Sequence, residues 1–107
     1  MEETMTDVLA CRLDIFDGPE KLRYEALREA MRAAVEETRE LAEGYTARLR
    51  PDPTVFRQVA EWITLERRCC PFLALGLNWS EGDAVWLSVT GGPGVKAFLA
   101  GMLGSRS

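Results

Sequence analysis

Two adjacent cysteines, Cys69 and Cys70, sit in the run Glu66-Arg67-Arg68-Cys69-Cys70-Pro71-Phe72, where a helical pattern gives way to a strand pattern. The one other cysteine, Cys11, lies far upstream, and the chain has no histidine. Without imidazole there can be no Cys-His nucleophile pair, no serine triad and no mixed zinc site of the usual kind. What remains is thiolate chemistry. Sulfur ligands without imidazole suit thiophilic ions such as Hg(II), As(III), Cd(II) or Cu(I) better than they suit catalytic zinc.

Pro71 shapes the junction. Its ring disfavours the helical region for the residue before it, so Cys70 is expected to leave the helix while Cys69 is still in the last turn. Two consecutive residues inside a helix point about 100° apart and cannot easily share one ligand. At a helix exit they can converge.

The helix that carries the pair should begin at Pro53, with Asp52 as its N-cap, and run to Cys69. Its apolar face is Val55, Phe56, Val59, Trp62 and Ile63, and Glu66 falls in the middle of that stripe. Arg57, Glu61, Thr64 and Arg68 point away. A carboxylate is thus aimed inward beside two thiols, where burial would resist its ionisation. It could pass protons or complete a metal shell. The plainer alternative is a helix-end Glu66 that reaches solvent or pairs with an arginine.

The cysteines also have a plainer reading, as small core hydrophobes. Arg67 and Arg68 beside them would favour thiolate, while the negative partial charge of a helix C-terminus opposes it. From the sequence the sign of that balance stays open.

At 107 residues, 47% apolar and 28% charged, the chain reads as one domain with a small core, residues 1–107, frayed at 1–8 and 104–107. A net charge of −4 argues against nucleic-acid binding, which needs clustered Lys and Arg. No apolar run approaches the roughly 20 residues of a membrane span, and Met1 to Asp7 has no secretory pattern. A cytoplasmic location follows as an expectation, with the three cysteines held as reduced thiols. The oligomeric state is left open, a homodimer being one option.

Taken in order, Leu9 to Phe16 alternates as a half-buried strand that would turn Cys11 inward, the alternative being an extended arm without a partner strand. Asp17-Gly18-Pro19 starts a long helix that the pattern carries to about Leu41, with Leu27, Ala30, Met31, Ala34, Thr38 and Leu41 inward and Gly44 as a left-handed stop. Tyr45 to Arg50 is a short strand whose Arg48 and Arg50 lie on the wet face. After the Cys-bearing helix, Leu73, Leu75, Leu77 and Trp79 share one strand face, Ser80-Glu81-Gly82-Asp83 turns the chain, and Val85, Leu87 and Val89 share the next. Gly91-Gly92-Pro93-Gly94 leads into a last helix, with Pro93 at its first position and Val95, Phe98, Leu99, Met102 and Leu103 inward. That glycine run lacks the spacing of a dinucleotide fingerprint or a P-loop. The expected fold is α+β: a small, mostly antiparallel sheet of three to four strands with three helices packed on one face.

The run Glu66-x-x-Cys69-Cys70-Pro71-Phe72, the Leu-rich strand after it, the hairpin into Val85-Trp86-Leu87-Ser88-Val89-Thr90, the Gly-Pro-Gly turn into Val95-Lys96-Ala97-Phe98-Leu99, and an upstream Cys11 resemble a small uncharacterised bacterial domain. That domain is found alone or beside mercury-resistance-type regulators. The resemblance implies a thiol-bearing accessory domain linked to heavy metals, with Cys11, Cys69, Cys70 and Glu66 as the matching positions.

Three readings follow. In the first, the chain binds or senses a soft metal or metalloid through Cys69 and Cys70, with Cys11 as third ligand and Glu66 as a further candidate. In the second it is a thiol-redox or thiol-transfer enzyme acting on a small thiol-reactive molecule, with one cysteine attacking, the other resolving and Glu66 handling protons. In the third the cysteines are core residues of a structural or interaction module. Binding is favoured because a disulfide between neighbouring residues strains the intervening peptide, whereas shared coordination carries less strain.

Overall fold

Asp17 and Asp52 each open a helix in the way their chemistry dictates. The Asp17 carboxylate accepts from the Glu20 amide at 2.8 Å while Glu20 reaches back to the Asp17 amide at 3.3 Å, a reciprocal capping box. Asp52 accepts from the amides of Thr54 (2.7 Å) and Val55 (3.3 Å), with Pro53 at the first helical position. The helices are α1 (Gly18–Ala34) and α2 (Pro53–Cys69), and the strands are β1 (Val35–Leu41), β2 (Gly44–Leu49), β3 (Leu73–Ser80) and β4 (Ala84–Gly91). These come from a computed structural model, which describes residues 13–97.

The strands form one antiparallel sheet in the order β1-β2-β4-β3, so the fold is α+β as expected. One sheet face contributes Leu49, Leu73, Val85, Leu87 and Val89 to the buried cluster that also holds Tyr24, Leu27, Met31, Val55, Val59 and Trp62 of the helices. The other face is polar, with Thr46 Oγ1 3.2 Å from Ser88 Oγ and Arg39 over the Trp86 ring. The β3–β4 turn places both Gly82 and Asp83 at positive φ, and Trp79 Nε1 donates to Asp83 Oδ1 at 3.0 Å.

Three expectations need correction. The first helix ends at Ala34, not near Leu41, and Val35–Leu41 is an edge strand paired with β2. Thr38 and Leu41 therefore lie on a strand, and both are exposed. Only Val35 and Glu37 of this segment are even half-buried, so no apolar face holds it as a helix, and pairing with β2 supplies its backbone partners instead. Its charges suit an open edge: Glu37 sits opposite Arg48, Oε1 to Nε 3.5 Å. The wet-face reading of Arg48 holds.

Next, the inward alternation expected for Leu9 to Phe16 fails where it can be seen. Leu13–Ile15 is a 3-10 turn, Ile15 is exposed and Phe16 is buried, because Phe16 stacks against Tyr24 at 5.2 Å between ring centroids. Leu9 to Arg12, Cys11 included, lie outside the described residues. At the other end the helical trace starts at Val95, with Pro93 and Gly94 in the preceding turn. Residues 98–107 also lie outside the described part.

Lastly, Gly44 is not a left-handed stop but the first residue of β2. A Cβ there would fall 2.1 Å from the Val89 carbonyl oxygen and 2.8 Å from Thr90 Cα, both backbone atoms that cannot step aside. Gly44→Ala should therefore cost at least the ~1–3 kcal/mol typical of overpacking. Chemical denaturation checks this, and an unchanged midpoint would mean that the two strands part freely.

Candidate metal centre

The two helices run antiparallel, held by pairs that alternate in sign across their surface. Arg23 makes a two-pronged contact with Glu61 at 2.7 and 3.0 Å, and Arg68 reaches Glu20 at 3.0 Å while its guanidinium lies over Phe16. These pairs are half-exposed, so each contributes little stability, but together they set the register. The register brings Tyr24 of α1 against the last turn of α2.

There Tyr24 Oη donates to Glu66 Oε1 at 2.6 Å in the buried core. Glu66 is fully buried, as its place in the apolar stripe implies. The Cys69 thiol lies 3.9 Å from the same oxygen and 3.6 Å from Cys70 Sγ, and both sulfurs are fully buried. Cys70 caps the helix at φ −131°, ψ 67°, its amide donating to the Glu66 carbonyl at 2.7 Å. The turn imposed ahead of Pro71 is what lets adjacent sulfurs face one another. A Glu66 oxygen, Cys69 Sγ and Cys70 Sγ all lie within 4.8 Å of one another, close enough to hold one metal ion.

The two cysteines differ in state. Cys69 is a free thiol. Cys70 is disulfide-bonded, which departs from the expectation of three reduced thiols. Cys11, expected to approach the pair as a third ligand, lies outside the described residues.

The charge balance left open above is decided by burial. Desolvation pushes the Cys69 thiol up to about 11, and the Glu66 carboxylate beside it adds to the rise. Arg68 faces Glu20 and not the sulfur, so the adjacent arginine does not activate it. Glu66 is itself raised by burial, a shift held back by the Tyr24 hydrogen bond and by the Arg28 charge. Tyr24 is raised too, through burial first and then its bond to Glu66.

Sequence reasoning missed Tyr24. Its signal was available, because positions 24, 27, 31 and 34 lie on one helical stripe, and a buried phenol requires a partner for its hydroxyl.

A raised thiol has a definite consequence for stability. The Cys69 contribution is complete below the ordinary thiol value of 9.0 and is lost as pH rises through about 11, since the unfolded chain ionises first. The urea midpoint should therefore fall across pH 9 to 11 more steeply in the native chain than in Cys69→Ala. Parallel curves would show that the thiol is not desolvated.

No protein-family model, curated protein or solved structure matches the chain. Among the described residues no helix is long and apolar enough to cross a membrane.

Proposed function

We propose that the chain binds or senses a soft metal or metalloid ion, using Cys69 and Cys70 as thiolate ligands once Cys70 is reduced, with Glu66 as the oxygen donor. The observation that carries this is the convergence of three ligand atoms within 4.8 Å inside a fully buried site. Sulfur donors in a dry pocket favour thiophilic ions over hard cations, which need oxygen ligands and water. The resemblance to a domain found beside mercury-resistance-type regulators points to the same class of cargo.

The sulfur spacing can be compared with what each ion requires. With a metal–sulfur bond of about 2.3 Å, two sulfurs 3.6 Å apart subtend roughly 103° at the ion. A linear two-coordinate ion would need them about 4.6 Å apart on the same bond length. That spacing belongs to the form with Cys70 in its disulfide, and titration of the reduced protein ranks As(III) and Cd(II), which bend, against linear Hg(II) and Cu(I).

A redox enzyme is disfavoured by the same site. With its thiol raised by burial to about 11, Cys69 stays protonated at neutral pH and is a poor attacking group. A metal ion overcomes that by displacing the proton, so binding should release protons and tighten as pH rises.

Titration of reduced protein with As(III), Cd(II) and Hg(II), followed by thiolate charge-transfer absorption, tests the proposal. About one ion per chain is expected for each. Absence of the absorption band with all three would leave the cysteines as core residues.

A further inference from the structure

We propose that the outer edge of β3 pairs antiparallel with the same edge of a second copy of this chain, so that two four-stranded sheets join into one. The two edges of the sheet are not alike. β1 carries Glu36, Glu37, Arg39 and Glu40, the kind of charge that keeps an open edge from pairing. β3 (Leu73–Ser80) has no charged residue and, among the described residues, is bonded to a strand on one side only. Its core-facing side chains Leu75, Leu77 and Trp79 sit opposite Val89, Leu87 and Val85, yet Leu75 and Leu77 are only half-buried and Trp79 is 36% exposed. They stay wet because the sheet stops there, and one more strand would cover them.

α2 is uncovered on the same side. Phe56, Ala60, Ile63 and Arg67 recur at the spacing of one helical stripe, and Phe56 lies 5.3 Å from the Trp79 ring, which sets that stripe beside β3. Glu61 and Arg68 point the other way, to Arg23 and Glu20 of α1. Phe56, Ala60 and Ile63 are half-buried, so the apolar surface of the strand edge continues up the helix. The occupant that fits is the chain itself. A two-fold axis through Gly76, normal to the sheet, keeps the helices of both copies on one face and sets Leu75 opposite Leu77 of the second copy, and Leu73 opposite its Trp79. No like charges meet along the strand. The same register carries Glu81, just past the end of β3, to Pro71 of the other copy, next to the last turn of α2 and its exposed Arg67. Opposite charges thus flank an apolar middle, the arrangement that fixes register between partners. None of Glu66, Cys69 or Cys70 enters this interface, so its test is independent of the metal reading.

Molecular mass from light scattering over a dilution series tests the pairing. The native chain should move from 12.0 kDa when dilute toward twice that value at its highest soluble concentration, with or without dithiothreitol. Gly76→Lys and Gly76→Glu each place a charge on the axis, at a position where a Cβ meets nothing within 4 Å, so the dilute variants should keep the native urea midpoint or exceed it. Each alone should stay at 12.0 kDa where the native chain doubles, because like charges then stand opposite one another. Mixed in equal amounts the two variants should regain the doubled mass, since the axis then pairs opposite charges. A native chain that is monomeric throughout would overturn the proposal, the edge being open or taken by some other strand. Doubling that dithiothreitol abolishes would overturn it too, because it would belong to a disulfide between chains. So would doubling that survives in either Gly76 variant alone, or a mixture that stays monomeric.

Discussion

Adding As(III) or Cd(II) to the reduced protein at a thousand times its dissociation constant should raise the unfolding free energy by about 4 kcal/mol. Cys69→Ser and Cys70→Ser should each abolish that gain. The effect is large because a preformed site is absent from the unfolded chain, so binding energy is folding energy. Both sulfurs are required for the chelate: either substitution leaves one thiolate and a carboxylate of the three converging ligands, a pairing with little preference for soft ions. Each variant is compared with itself, with and without ion, so any change in its intrinsic stability cancels. Cys11→Ser, the test of the third ligand expected from the sequence, should weaken the gain without removing it. Equal ion-induced shifts in the native chain and both pair variants, read by thermal or urea unfolding, would locate the binding elsewhere.

Tyr24→Phe should destabilise the protein by about 1–3 kcal/mol at neutral pH, the cost of removing a donor from a buried acceptor. Only the hydroxyl is removed and the ring stays in place, so the effect belongs chiefly to the 2.6 Å bond to Glu66. Its pH dependence gives it a signature. The hydrogen bond from Tyr24 holds the Glu66 carboxyl down against burial, so the substitution raises that carboxyl further. A carboxyl raised in the folded state contributes fully below its ordinary value of 4.5 and loses that contribution as pH climbs through the folded value. The Tyr24→Phe penalty should therefore be smallest in acid and grow toward neutrality. In a Glu66→Gln background it should lose this growth, because an amide does not ionise. A penalty independent of pH in both backgrounds would show that Glu66 is not the partner that matters.

Much of this protein was set by its local sequence. Asp52-Pro53 started α2, the apolar stripe through Trp62 buried Glu66, and Pro71 turned Cys70 out of the helix. Each follows from short-range rules of capping, periodicity and proline sterics. Alternation likewise identified β2, β3 and β4, because their buried and exposed faces differ in polarity.

Other features were decided only when the chain closed on itself. Val35–Leu41 has no apolar face of its own, and its strand exists because β2 offers it a backbone ladder. Gly44 looked like a helix stop until the approach of Val89 showed that it is glycine for want of space. At the centre, residue types indicated sulfur chemistry, but not the sign of the Cys69 shift, which arises from desolvation and from a carboxylate aimed at it. Nor could periodicity alone pair Tyr24 with Glu66, 42 residues apart. Long-range packing sets which groups share a dry pocket, and in a dry pocket neighbours and solvent exclusion, more than residue type, determine which protons are held and which sulfurs can bind.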